Sequence, residues 1–384
     1  MKILVLYQDI DGGTKNATEA IVQKLKMLDP SVRYRIYKQP DAPRTNWLYY
    51  TRHLIWSIWD FWRTLQRERH VDVVYFTIFS AAIAKALSRQ RNTPGFFHFH
   101  GNQEFVTSLQ TEVRRSLLGK LYNHLLGSVV NRLQRFAFRH ASVVCFVSEF
   151  AKKQFLHYQN LESLAEKTRV VPNGVNTQIF SPIPLSIRGR LRAKYGFNPK
   201  RDFLILFSGR IDEKKGIMQL VKALCYLPNS YKLIIVHPAL RERQSFHHYN
   251  ALVKVIRSSS LENRVRFVEN PKNIATYYQI TNCTILPSER EYFSLVILES
   301  FASGTIFLGT SVGFIPEFLS DVDQDLIITS TTPHELVKRI RWVSSLSQQK
   351  REAIIRRGME KARGFTWQNA AWAILRELRA IQQQ

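Results

Sequence analysis

Short apolar runs alternating with longer stretches of helical period constrain this chain more than any other feature. The runs cover residues 2–7, 71–78, 95–100, 142–147, 203–208, 232–236, 265–268, 283–287 and 305–309. Runs of this length suit strands buried on both faces, while the stretches 18–27 and 217–227 repeat their apolar residues at a helical period. Such alternation predicts βαβ units, and hence parallel sheets covered by helices. A chain of 384 residues outgrows one comfortable core, so two α/β domains are expected. The turn-rich stretch from Pro172-Asn173-Gly174 to Pro182 and Pro184 breaks the pattern near the middle. Pro and Gly clusters between periodic segments mark linkers, so the domain boundary is placed there, at 175/176.

Charge narrows the range of partners. The formal net charge is +25, and residues 1–169 hold 25 Lys and Arg against 13 Asp and Glu, so the excess is no local basic tail. A field of this sign attracts nucleic acid, anionic lipid surfaces and anionic glycolipids. No zinc, RNP or homeodomain signature accompanies it, which argues against nucleic acid as the partner. Two stretches concentrate the effect. Residues 46–70 mix Trp47, Trp56, Trp59 and Trp62 with Arg52, Arg63, Arg67 and Arg69, and residues 106–140 carry leucines at helical spacing beneath a basic surface. Two readings fit both stretches: a face that meets anionic headgroups, or a core-facing helix with a solvated basic side. Cys145, Cys225 and Cys283 are far apart and odd in number, as expected for reduced cysteines in the cytoplasm. The opening apolar run is too short for a signal peptide, and the stretch 71–87, broken by Asp72 and Lys85, reads as a strand and a helix and not as a membrane span. The expected location is the cytoplasm, in contact with the inner face of the plasma membrane.

Two segments of the second half carry chemistry. Ser208-Gly209-Arg210-Ile211-Asp212-Glu213-Lys214-Lys215-Gly216 follows a strand-like run and precedes a helical one. Glycine there admits a close ligand, and Arg210 and Lys215 bring two cations to one sheet end. Fixed cations stabilise a departing diphosphate, and can do so without a metal. Farther on, Glu291 and Glu299 stand eight apart in Glu289-Arg290-Glu291-Tyr292-Phe293-Ser294-Leu295-Val296-Ile297-Leu298-Glu299. A loop carboxylate can accept from sugar hydroxyls, a helix carboxylate can grip a ribose diol, and the amides of Phe293, Ser294 and Leu295 can cradle phosphate. His98 and His100 share one face of a strand, but no third metal ligand follows at a sensible spacing.

Taken in order, Arg210-x4-Lys215-Gly216, Glu291-x7-Glu299, Gly304-Thr305 and Gly313-x-x-Pro316-Glu317 resemble the retaining GT-B glycosyltransferases of family 4. Asn173-Gly174-Val175-Asn176, Gly12-Gly13, Ser148-Glu149 and Gly364-Phe365-Thr366-Trp367 extend the resemblance along almost the whole chain. It implies two Rossmann-like domains with parallel sheets facing across a cleft, residues 1–175 on the acceptor side and 176–365 holding a nucleotide diphosphate sugar. Residues 366–384 would be a final helix returning to the first domain. Carried over by position, Arg210 and Lys215 meet the diphosphate, Glu299 holds the ribose, and Glu291 contacts the transferred sugar. Gly209, Phe293, Ser294 and Leu295 line the donor, Gly13 approaches the diphosphate and acceptor, and His100 stands near the donor sugar. The implied reaction retains configuration, with the leaving phosphate taking the acceptor proton, and needs no metal or other cofactor. The expected acceptor is a glycan or glycolipid, and the charge and aromatic distribution point to envelope polysaccharide synthesis on the cytoplasmic side of a membrane.

The chain departs from the family pattern at Tyr292-Phe293-Ser294, where Gly-Phe-Gly is usual, at Ile306 for Pro, at Phe314 for Gly, and at the bulky His237-Pro238. None of these removes a charged group. A nucleotide-sugar epimerase and a non-catalytic partner subunit of the same fold are the alternatives.

Overall fold

The computed structural model describes residues 1–8, 13–39, 49–100, 117–240 and 243–383. The chain divides into two compact units, Met1–Asn173 with Trp367–Gln384, and Gly174–Thr366.

The first unit contains the strands β1 (Lys2–Gln8), β2 (Arg33–Gln39), β3 (Val73–Phe76), β4 (Gly95–Phe99), β5 (Val143–Phe146) and β6 (Thr168–Val170). They form one parallel sheet in the order β2-β1-β3-β4-β5-β6. Its helices are α1 (Gly13–Leu28), α2 (Tyr49–Arg67), α3 (Phe79–Ala86), α4 (Leu117–His140) and α5 (Glu149–Gln159). The stretch expected as one helix over 106–140 is helical from Leu117; its beginning lies outside the described residues, as do Trp47 and Gly12. Ser148 ends the extended chain before α5, its side chain accepting from Ala151 N, and Asn160 closes that helix in a left-handed turn. Such capping satisfies terminal peptide groups that the helix itself cannot.

The second unit has β7 (Phe203–Ser208), β8 (Tyr231–His237), β9 (Val265–Glu269), β10 (Cys283–Leu286), β11 (Ile306–Thr310) and β12 (Ile327–Ile328). They form a second parallel sheet, in the order β12-β11-β10-β7-β8-β9. Around it run α6 (Leu185–Lys194), α7 (Ile217–Leu224), α8 (Arg243–Ser258), α9 (Ala275–Ile280), α10 (Leu295–Ala302), α11 (Phe314–Leu319), α12 (Pro333–Ser345) and α13 (Gln348–Arg363). The last helix, α14 (Trp367–Gln382), belongs to the first unit. There Ala371, Ile374, Leu375 and Leu378 join Ile3, Val5, Val73 and Tyr75 in one buried cluster.

All nine apolar runs form strands. The three strands that lacked such a run are β2, β6 and β12, and each lies at a sheet edge. Edge strands are solvated on one side and often short, so their sequences carry less apolar signal. β2 reads Arg-Tyr-Arg-Ile-Tyr-Lys-Gln, and β12 is two residues long. Central strands show the opposite: β3, β4, β5, β10 and β11 are buried throughout. Cys145 and Cys283 lie within them as free thiols, and Cys225 is free and exposed.

Candidate active site

In the second sheet β7 and β10 are neighbours, but the chain leaves β7 toward β8 and β9 and leaves β10 toward β11 and β12. Loops that diverge from adjacent parallel strands open a crevice at their carboxyl ends, the usual ligand position in such sheets. The loop after β7 contains Gly209, Arg210 and Lys215. The loop after β10 contains Glu291, Phe293 and Ser294. Topology therefore brings together two segments about 80 residues apart that the sequence singled out separately.

Short contacts then lock the two loops. Lys215 Nζ lies 2.7 Å from Glu291 Oε1, and Ser288 Oγ donates to the same oxygen at 2.9 Å. Their backbones are tied as well, Glu289 N donating to Lys214 O at 2.8 Å. Glu289 itself is exposed, so Glu291 is the carboxylate that faces the lysine. The Lys215 and Glu291 side chains are only 18% and 10% exposed. An ion pair withdrawn from water to this degree is strongly interdependent: removing one charge leaves the other desolvated. Asp212 caps the short turn Glu213–Lys215, its Oδ1 accepting from Lys215 N at 3.1 Å. The other oxygen of Asp212 is 3.7 Å from the Arg210 guanidinium. One carboxylate thereby holds the Lys215 backbone and lies beside the Arg210 cation, while Glu291 holds the Lys215 ammonium.

Two glycines make the close approach feasible. Gly216 has φ +66°, and a Cβ there would collide with the Pro287 carbonyl oxygen. Gly313 has φ +60° and abuts the Glu291 carbonyl in the same way. Side chains are disfavoured at such φ, and here there is no room for one. Thr310 Oγ1 also donates to the Ser288 carbonyl, so the end of β11 buttresses the loop that carries Glu291.

Helix α10 begins immediately beyond. Ser294 has extended backbone and makes no side-chain cap. Its buried Oγ has no partner among the described residues. Leu295 opens the helix, leaving first-turn amides without intrahelical acceptors. Phe293 stacks on Phe314, ring centroids 4.3 Å apart, so two of the atypical stretches of this chain meet each other. One turn into α10, Glu299 accepts from the Tyr278 hydroxyl at 2.6 Å. Desolvation pushes the Glu299 carboxyl up to about 7, and the Tyr278 bond opposes the shift only in part. Tyr278, Ser288 and Asp212 were not singled out in the sequence. An Asp three residues before Lys215 has the spacing of a cap, but nothing local links Tyr278 to Glu299.

In the first unit, His100 directly follows β4 and Gly13 opens α1. The His98 and His100 rings lie 4.0 Å apart, and His98 Nδ1 is hydrogen-bonded to the Tyr75 hydroxyl at 2.7 Å. Burial lowers His100 to about 3, and burial together with the neighbouring His100 holds His98 well below its ordinary value, so both rings are neutral near pH 7. Neither His100 nitrogen has a partner among the described residues. Those residues include no group of three or more His, Cys, Asp or Glu that could hold a metal ion. Residues 101–116, which follow His100 in sequence, lie outside the described residues.

Comparison with known proteins agrees with this architecture. The Thermosynechococcus elongatus sucrose-phosphate synthase superposes with a TM-score of 0.79 over 99% of this chain and 98% of that one, at 17% identity. The Anabaena protein HepE, in complex with UDP and glucose, gives 0.74 over 99% and 100%, at 20% identity. WaaG, a glycosyltransferase involved in lipopolysaccharide biosynthesis, gives 0.72 over 98% and 99%, at 17% identity. The fold is therefore GT-B. The family model for glycosyl transferases group 1 matches residues 188–361, and that for glycosyltransferase family 4 matches 21–179. Together they cover most of both units, and the chain belongs to the GT-B glycosyltransferases of family 4. Among curated relatives, a D-inositol 3-phosphate glycosyltransferase of Xylanimonas cellulosilytica is 29% identical over 221 residues, 55% of this chain and 50% of that protein. The corresponding protein of Corynebacterium diphtheriae is 27% identical over 228 residues, 56% of this chain and 50% of its own. The chain thus spans about half the length of the curated relatives it matches.

Proposed function

We propose that this glycosyltransferase moves a hexose-like sugar, with retention of configuration, from a nucleotide diphosphate donor to a glycan or lipid-linked acceptor in envelope polysaccharide synthesis. The observation that carries the reading is the Lys215–Glu291 pair at the point where the second sheet reverses direction, beside the start of α10. As the bond from the sugar anomeric carbon to the diphosphate oxygen breaks, that oxygen gains negative charge. Arg210 and Lys215 are oriented to receive it, and the α10 amides with Gly209 favour the same anion. The acceptor oxygen forms the new bond on the face the phosphate leaves, and its proton passes to the departing phosphate oxygen. Glu291 is assigned to the sugar hydroxyls and Glu299 to the ribose diol. Gly13 and His100 keep the roles the family gives them, with His100 acting as a neutral hydrogen-bond partner. Two fixed cations meet the developing charge, so no metal is assigned to the reaction.

The setting proposed is the cytoplasmic face of a membrane. It is supported by the +25 charge, and no helix among the described residues is long and apolar enough to cross a bilayer. The test is a panel of UDP-, GDP- and ADP-sugars in EDTA, read by thermal shift and slow donor hydrolysis, with Arg210→Ala and Glu299→Ala alongside. Stabilisation by one donor, lost in both variants, is expected. If no nucleotide sugar binds, the non-catalytic partner reading replaces this one.

A further inference from the structure

Helix α2 has two unlike faces. Ser57, Phe61 and Leu65 are buried at a spacing of four, and Phe61 stands edge-on to Tyr37 with centroids 5.9 Å apart. The opposite side exposes Ile55, Trp56, Trp59 and Trp62 at 68%, 37%, 50% and 37%. Positions 55, 59 and 62 follow the i, i+4, i+7 rule, giving a stripe about 10 Å long. Leu87, just past α3 and 63% exposed, widens it, since its carbonyl accepts from Trp62 Nε1 at 3.1 Å. Apolar side chains scattered singly over a surface are ordinary, but three tryptophans and two aliphatics gathered on one patch mark an interaction site.

The surrounding charges choose the partner. The Arg63 guanidinium lies over the Trp59 ring, 5.4 Å from its centroid, and Arg67 is exposed one turn farther. The one acid of the helix and the acid that follows its end are occupied elsewhere. Asp60 accepts from the Tyr37 hydroxyl at 2.6 Å, and Glu68, just beyond the helix, is paired with Lys2 at 3.1 Å and Arg35 at 2.7 Å. The exposed face therefore combines indole rings and aliphatic side chains with a cationic rim. A second copy would bring its own excess positive charge against this rim. A nucleic acid would find rings to stack on, but no use for Ile55 and Leu87. Trp62 already donates its N–H to the Leu87 carbonyl, so the rest of its ring offers an apolar edge outward.

We propose that this face of α2 docks the enzyme on an anionic lipid bilayer. Trp56, Trp59, Trp62, Ile55 and Leu87 enter the headgroup–acyl boundary, while Arg63 and Arg67 meet lipid phosphates. The assignment rests on the membrane setting of the proposed function and is independent of the donor chemistry.

The test is flotation of the full chain with phosphatidylcholine vesicles, with and without about 30 mol % phosphatidylglycerol, at about 0.15 M NaCl. Wild type is expected to float with the anionic vesicles only. Ile55→Ser/Trp59→Ser, which leaves the buried face intact, should lower the partition at least about tenfold. Trp59→Leu, retaining an apolar side chain, should keep most of it. Absence of wild-type flotation overturns the proposal, as does equal flotation of the double variant. Tighter binding to a dT oligonucleotide than to anionic vesicles, with the same loss in the double variant, would reassign the face to single-stranded nucleic acid. Donor-induced thermal shift is measured on the same samples. Its absence beside intact vesicle binding counts against the transferase reading alone.

Discussion

At the residue scale, charge placement in the loops after β7 and β10 leads to three expectations. Lys215→Ala leaves Glu291 desolvated without its cation and removes charge from the leaving group. Donor turnover should fall by about 10²–10³-fold, with Lys215→Arg recovering part of it; steady-state rates within about threefold of wild type would sink the role. Gly313→Ala forces a side chain into a glycine-only conformation against the Glu291 carbonyl. It should cost on the order of 2 kcal/mol or more in urea denaturation and weaken the donor, and an unchanged midpoint would contradict the packing described. Glu299 titrates at about 7 in the folded chain against an ordinary 4.5. Between these values the native state holds a proton that the unfolded chain has lost, so this group makes stability fall as pH rises from 4.5 toward 7. Ribose hydroxyls donating to Glu299 favour the ionised carboxylate, so donor binding below about pH 7 should release a proton. Calorimetry in two buffers of unequal ionisation enthalpy measures that release, and Glu299→Gln should abolish it.

At the element scale, every central strand was legible in the sequence, whereas of the four edge strands β2, β6, β9 and β12 only β9 showed an apolar run. β7 and β10 announce themselves as mainly apolar runs because a parallel strand in the middle of a sheet is buried on both faces. β2, β6 and β12 do not, because edge strands face water on one side and β12 is only two residues long. Site residues followed a similar rule. Gly209, Arg210 and Lys215 are legible because they sit within a few residues of a strand end, whereas Tyr278 reaches Glu299 from α9, 21 residues away in sequence. Helix α14 supplies a further test. Leu378 is fully buried in the first-unit core, and Leu378→Ala should cost about 2–5 kcal/mol in chemical denaturation. A loss below about 0.5 kcal/mol would mean that α14 contributes little to that core.

At the scale of the whole molecule, the excess of 55 Lys and Arg over 30 Asp and Glu sets up self-repulsion that salt screens. The melting temperature should therefore rise between about 10 mM and 0.3 M NaCl, as followed by differential scanning calorimetry. A falling melting temperature would show that local ion pairs such as Lys2–Glu68 and Arg379–Asp29 outweigh the repulsion. The sequence by itself determined the α/β class, the parallel character of both sheets and the segments that flank the second-sheet crevice, because hydrophobic period and turn chemistry are local. Tertiary structure alone decided which edge strands complete the sheets, that Lys215 pairs with Glu291 from 76 residues away, and that the tryptophans of α2 face outward while Phe61 faces in. Those outcomes depend on which surfaces win burial against one another once the chain has closed, and no local pattern records that competition.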